Sequence, residues 1–239
     1  MKPDIHVISH CWAGQLVQYA QALVYQLSTI VNNPPAVNTR FTICFTPTDY
    51  YTMAVLKFFS DVRVSNLEWD FHSMEKRNLM RRAIGRNEVG KASDARVIWF
   101  TDVDYLIKGL SLSDASELCG KQFDLVHPFE IQRSKTHEHG DRMLQDVDPL
   151  HPRVLKLRGD SFKASRMPRA IGGVQIVSGD VVRKHGFCDG IKRWMRPANT
   201  WQQCKCDRAA RGAWGLGQGA PVGIRGVFRL RHSKVAYDK

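Results

Sequence analysis

The sequence contains no apolar stretch approaching the roughly 18 residues that a membrane-spanning helix needs; its longest candidates are broken by Lys, Arg or Asp within about ten residues. No membrane-spanning helix is therefore expected. The chain opens Met1-Lys2-Pro3-Asp4 without the basic cap, apolar run and small-residue cleavage site of a secretory leader, so a cytoplasmic location is expected. Six cysteines are scattered without a paired framework and read as free thiols, because a chain of this length does not need disulfides to hold its core. Cys204-Lys205-Cys206 lacks a second Cys or His pair and is assigned no metal. There is no repeat of 20 to 50 residues and no low-complexity tract, which excludes solenoids and extended disorder.

What is present is an ordinary globular composition with an uneven charge. The 239 residues are 43% hydrophobic, enough for one domain with a full core. Residues 1–150 carry 16 Lys and Arg against 18 Asp and Glu, whereas residues 151–239 carry 19 against 5. All of the formal +12 thus resides in the last part of the chain. Such a block implies either a polyanionic partner, nucleic acid or an anionic membrane surface, or a solvated basic face.

Hydrophobic patterning predicts a strand at residues 5–9, a loop at 10–14 and a helix over 15–31 stopped by Asn32-Asn33-Pro34-Pro35. A strand at 40–46, a turn at 47–49 and a helix at 50–60 repeat the unit. A short strand at 62–67, a long basic helix at 73–93 and a buried strand at 96–101 follow. Alternating strands and helices imply an α/β fold with a mostly parallel sheet and ligands outside the carboxyl ends of its strands. Residues 125–127 read as a strand, residues 130–169 as one long polar loop, and residues 170–178 as a strand. Short helices are expected at 179–185 and 199–212, and a last strand at 222–232.

Asp102-Val103-Asp104 comes directly after the apolar strand 97–100. On an extended segment residues i and i+2 share a side, so two carboxylates can share a hard cation such as Mn²⁺ or Mg²⁺. A bare D-x-D also occurs as a strand or turn cap; its position after such a strand raises its weight.

The segment RAIGRNEVGKASDARVIWFTDVD, residues 82–104, resembles the corresponding stretch of family 2 and related glycosyltransferases of the GT-A (Rossmann-like) type. Their pattern places an Arg-Asn pair on a helix ahead of the strand that ends in D-x-D, and here Arg86 and Asn87 stand in that place. The resemblance implies a nucleotide-sugar donor, UDP-sugar foremost, with Arg82, Arg86, Asn87 and Asp102 as donor contacts. It implies Asp102, Asp104 and the late His232 as metal ligands. The first loop offers His10 and Trp12 towards the base, with plain packing as the competing account of the tryptophan. The acidic pair usual after the second strand is replaced by Thr46-Pro47-Thr48-Asp49, and Asp49 reads either as a base or ribose contact or as a helix N-cap. Gly172-Gly173 resembles the glycine-bearing strand beside the donor sugar. Asp207, four residues before Arg211, resembles the family's helix-borne catalytic base, with a local ion pair as the other account. His137-Glu138-His139 with Asp141 is a rival cluster, read as a solvent-exposed loop feature on the acceptor side.

On this reading residues 1–110 form the nucleotide-sugar part and residues 111–239 the acceptor and catalytic part of one domain. The implied chemistry is transfer of a hexosyl or pentosyl group to an acceptor hydroxyl with inversion. The acceptor is read first as a modified base in DNA, because Lys192-Arg193-Trp194-Met195-Arg196 and Trp201 mix cations with aromatics. A glycan or lipid-linked acceptor is the alternative, and a nucleotidyltransferase or a nucleic-acid-binding module are the readings from other classes.

Overall fold

A computed structural model describes residues 2–14, 16–189 and 206–233; the side chains of Cys206 and Asp207 lie outside this description. In chain order the first half runs β1 (Ile5–His10), α1 (Gln18–Asn32), β2 (Thr39–Phe45), α2 (Tyr50–Ser60), β3 (Leu67–Ser73), α3 (Lys76–Leu79), α4 (Ala83–Ala92), β4 (Val97–Thr101), β5 (Tyr105–Ile107) and α5 (Gly109–Leu118). The second half runs β6 (Leu125–Pro128), β7 (Glu130–Ser134), α6 (His137–Gln145), β8 (Phe162–Arg166), β9 (Val174–Ser178), α7 (Gly179–His185), α8 (Cys206–Trp214), β10 (Ala220–Val222) and β11 (Val227–Arg229).

Seven strands form the main sheet in the order β10-β6-β9-β4-β1-β2-β3. Strands β1 to β4 are mutually parallel, and β9 runs antiparallel to both β4 and β6. All residues of β1 and β4 are buried, because helices cover both faces; β4 is accordingly an apolar run, while β1 also buries His6, Ser9 and His10. On one face Ile5, Val7, Val97 and Trp99 pack against α1 and α2; on the other Ile8, Ile98 and Phe100 pack against α4, α7 and α8. Each such fully buried large side chain contributes about 1.5–3 kcal/mol.

Four expectations need correction. Residues 130–169 are not one loop: β7, α6 and β8 lie there, and β7 and β8 belong to a second, four-stranded sheet ordered β5-β11-β7-β8. Residues 62–66, expected as a strand, are coil and turn, the strand β3 starting only at Leu67 and running through Ser73, and the long helix expected at 73–93 is two pieces, α3 and α4. The strand expected at 222–232 is two short strands, β10 and β11, in different sheets. In the helix expected at 199–212, the described part begins at Cys206; the cation and aromatic cluster at 192–196 and Trp201 lie outside the described residues. Among the described residues no helix is long and apolar enough to cross a membrane.

Candidate functional site at the carboxyl edge of the sheet

Asp102 follows the last residue of β4, and its backbone is held from below and behind. Gln26 of α1 donates from Nε2 to the Asp102 and Tyr105 carbonyls at 3.0 and 2.8 Å, and the Leu230 amide donates to the Asp104 carbonyl at 2.8 Å. Gln26 is buried, so this polar side chain inside an apolar helix is explained by the turn it fixes. It was not singled out from the sequence; the signal available was a glutamine on the buried face of a helix.

Both carboxylates are met by guanidinium groups. Asp102 Oδ1 accepts from Arg82 Nη1 and, at 2.9 Å, from Arg86 Nη2, which also donates to the Thr101 carbonyl at 3.1 Å. Arg82 and Arg86 lie one helical turn apart at the start of α4, so a single helix face delivers both. Arg86 is buried, with its guanidinium 5.9 and 5.3 Å from the ring centroids of Phe100 and Phe187. Burial works to raise the Asp102 pKa, but Arg82 and Arg86 outweigh it and hold the carboxyl down at about 2. Asp104 Oδ2 accepts from Arg229 Nε at 3.1 Å. For Asp104 burial wins, and its pKa lies above the usual value despite Arg229.

His10, at the end of β1, is buried beside this pair, and among the described residues neither ring nitrogen has a hydrogen-bond partner. Burial, and then Arg86 and Arg82, push its pKa well below the usual value, so the ring is neutral. The α4 backbone approaches it closely: a Cβ on Gly85 would stand 2.6 Å from His10 Nε2. Trp12 folds over Gly14, which has a φ of +49°, and Lys76 Nζ lies 5.0 Å from the Trp12 ring centroid.

Asp49 caps α2. Its carboxylate accepts from the Thr52 hydroxyl at 2.7 Å and the Ala13 amide at 2.5 Å, tying the first loop to α2. Of its two readings the N-cap is the one observed. Asn87 turns away from the D-x-D segment: its Oδ1 accepts from the Phe187 amide at 2.6 Å and its Nδ2 donates to Asp189 at 2.9 Å. Gly172-Gly173 precede β9 rather than lying within it. The Gly173 carbonyl accepts from the Thr101 hydroxyl at 3.0 Å, and a Cβ on Gly173 would stand 2.2 Å from the Tyr105 ring.

His232 is buried, edge-on to Tyr19 with ring centroids 5.5 Å apart. The segment carrying it is clamped by α6: His137 Nδ1 meets the His232 carbonyl at 3.0 Å, and Asp141 accepts from the Ser233 amide at 2.8 Å. The histidine pair assigned to a loop therefore begins a helix whose N-cap is Thr136. Among the described residues no group of three or more His, Cys, Asp and Glu side chains stands arranged to hold a metal ion. Asp102 and Asp104 each keep one carboxylate oxygen without a hydrogen bond among the described residues, which suits a cation held by two carboxylates and substrate phosphates. Asp207 sits in the first turn of α8, which packs Trp214 against Phe100 and Phe187, on the Arg86 side of the sheet.

No protein-family model matches the chain, and no curated protein does. Solved structures do. TarS residues 1–349 of S. aureus superposes with a TM-score of 0.58 at 11% identity, over 96% of this chain and 60% of that one. Its complex with UDP gives 0.57 at 11% identity, over 95% and 60%. This chain thus spans about 60% of the length of that neighbour. The galactosyltransferase LgtC in complex with donor and acceptor sugar analogues gives 0.51 at 12% identity, over 91% and 73%. The inositol-1-phosphate CTP transferase of T. maritima gives 0.50 at 11% identity, over 97% and 91%. The architecture of this chain is accordingly a GT-A-like α/β fold in a single domain.

Proposed function

We propose that this chain transfers a sugar from a nucleotide-diphosphate sugar, with UDP-sugar the first candidate, to an acceptor hydroxyl. The observation that carries the reading is Asp102-Val103-Asp104 fixed at the carboxyl edge of β4 with Arg82, Arg86 and Arg229 converging on it. A diphosphate placed there meets cations on both sides, and those charges favour its departure from the sugar. His10 and Trp12 at the end of β1 would face the nucleoside, and Gly172-Gly173 would let the sugar approach backbone. That one neighbour was solved with UDP and another with donor and acceptor sugar analogues supports the donor class.

Asp102 Oδ2 and Asp104 Oδ1 would hold Mn²⁺ or Mg²⁺, with His232 behind Asp104; the cation would supply further neutralisation of the leaving diphosphate. Asp207 is the proposed base: it would take the acceptor hydroxyl proton as the oxygen attacks the anomeric carbon, and a single displacement inverts the configuration. The acceptor is proposed to be a modified base in DNA, supported by the net positive charge of residues 151–239.

Incubation with a panel of nucleotide sugars and Mn²⁺ tests this. Release of nucleoside diphosphate is expected, falling about 100-fold or more in the Asp102→Ala, Asp104→Ala double variant. Undiminished release by that variant in chelator would overturn the reading. The CTP transferase likeness favours a second one, nucleotidyl transfer; pyrophosphate released from CTP or UTP, with no diphosphate from any nucleotide sugar, would select it.

A further inference from the structure

Strand register in the second sheet places Tyr105 of β5 opposite Arg229 of β11, Arg229 opposite Arg133 of β7, and Arg133 opposite Lys163 of β8. Residues directly opposite in a ladder point to the same face, so one phenol and three cations form a single rung that starts beside Asp104. Like charges in that position repel and destabilise a sheet. Asp104 answers only the first of them: among the described residues neither Arg133 nor Lys163 has an ion pair. Among the described residues, two buried polar atoms on the rung also have no hydrogen-bond partner, Tyr105 Oη and Arg133 Nε. Tyr105 is buried, with its phenol at the inner end of the rung. The Arg229 guanidinium lies 5.1 Å from the Tyr105 ring centroid, so these two groups converge. Gly173 makes room for the ring.

We propose that the Arg229-Arg133-Lys163 rung, with Tyr105 at its inner end, is a subsite for a phosphate group of the acceptor. An anion lying along the rung removes the repulsion among its cations and offers acceptor oxygens to donors that have none. Three cations at the strand spacing of about 4.8 Å span close to 10 Å, matching an extended phosphate-bearing segment rather than a single ion. The rung leads outward from Asp104 over the second sheet, whereas His10 and Trp12 stand on the main sheet at β1. An anion on the rung therefore lies on a different sheet from the loop proposed to face the nucleoside. The inference rests on the donor reading above for its assignment to the acceptor, since a donor diphosphate shares the same chemistry.

Binding of inorganic tripolyphosphate and of UDP, each followed by calorimetry, separates the two sources. Wild-type protein saturated with UDP is expected still to bind tripolyphosphate. The Arg133→Ala, Lys163→Ala double variant is expected to lose tripolyphosphate affinity tenfold or more while UDP affinity stays within twofold. Arg133→Lys, which keeps the charge, is expected to retain at least half of the affinity, and unchanged thermal unfolding confirms that both variants fold. Tripolyphosphate binding equal to wild type in the double variant overturns the subsite. Parallel loss of UDP affinity, or displacement of tripolyphosphate by UDP, gives the rung to the donor diphosphate and also overturns it. Should UDP fail to bind wild-type protein while the tripolyphosphate difference persists, the donor reading falls and the phosphate subsite stands.

Discussion

At Asp102 one carboxylate oxygen carries two guanidinium contacts, and the electrostatic consequence can be read from stability. Burial of the carboxyl opposes ionisation, and Arg82 and Arg86 reverse that, leaving the folded-state pKa at about 2. The unfolded value is near 3.9. A depressed carboxyl pKa stabilises the fold above the unfolded value, and the gain disappears as pH falls through the folded one; here it is on the order of 2 kcal/mol. Asp102→Asn is therefore expected to cost about that much at pH 7, with the difference from wild type narrowing steadily below pH 4. Urea unfolding at pH 7, 4 and 3 measures it, and a difference that stays constant over this range would remove the Arg82-Asp102-Arg86 pairing as its cause. The two carboxylates and the two arginines were legible because each sits at a fixed spacing from a recognisable strand. Asn87 was legible as part of a pattern yet serves the loop at 187–189 instead, because it lies about 100° around α4 from Arg86. Arg229 was legible as part of the late strand segment leading to His232, although not its pairing with Asp104, whose partner strands are distant in sequence; Gln26 gave no local signal, because it acts through backbone carbonyls far along the chain.

Among the elements, the legible ones were those whose burial is written in consecutive residues. The apolar runs of β1, β2 and β4 and the Asp49 cap of α2 appear in the structure close to where patterning places them. Residues 130–169 were not legible because β7 takes its register from β11, about 95 residues later, and α6 is strongly polar on its exposed side. That helix has a task patterning does not reveal. It presses on the segment bearing His232 so closely that a Cβ on Gly140 would stand 1.8 Å from the Arg231 carbonyl oxygen. Alanine is favoured over glycine in a helix by up to about 1 kcal/mol, but overpacking of this kind costs about 1–3 kcal/mol. Gly140→Ala is thus expected to lower Tm by several degrees and to weaken hydrogen-exchange protection at the Arg231 and Ser233 amides. Gly212→Ala in α8, where nothing among the described residues lies within 4 Å of the added carbon, is the control and is expected to leave Tm unchanged or raised. Equal protection of the two amides in both variants would show that α6 does not hold this segment.

For the molecule as a whole, the charge partition acquires a location. Lys163 and Arg166 of β8 and Arg169 just beyond it are exposed at the outer edge of the second sheet, as are Arg153, Lys156 and Arg158 earlier in the chain, while the loop at 10–14, proposed to face the nucleoside, belongs to the weakly acidic first 150 residues. A polyanion is therefore expected to engage the β8 side of the molecule without displacing a nucleotide near β1. If about five phosphates are contacted, counterion release gives a slope near −4.5 in log K against log salt, or a loss of roughly 10²–10³-fold between 50 and 200 mM. Gel retardation of a short duplex DNA at these two concentrations measures that loss, and added UDP is expected to leave the shift in place. No retardation at 50 mM salt, or retardation indifferent to salt, removes nucleic acid as the acceptor. The Arg166→Glu, Arg169→Glu double variant then decides where binding occurs: it touches neither the D-x-D segment nor the rung, and reversal of two charges beside β8 is expected to weaken retardation by at least tenfold. Retardation equal to wild type in that variant would move the DNA-binding surface away from the second sheet, whatever the salt dependence.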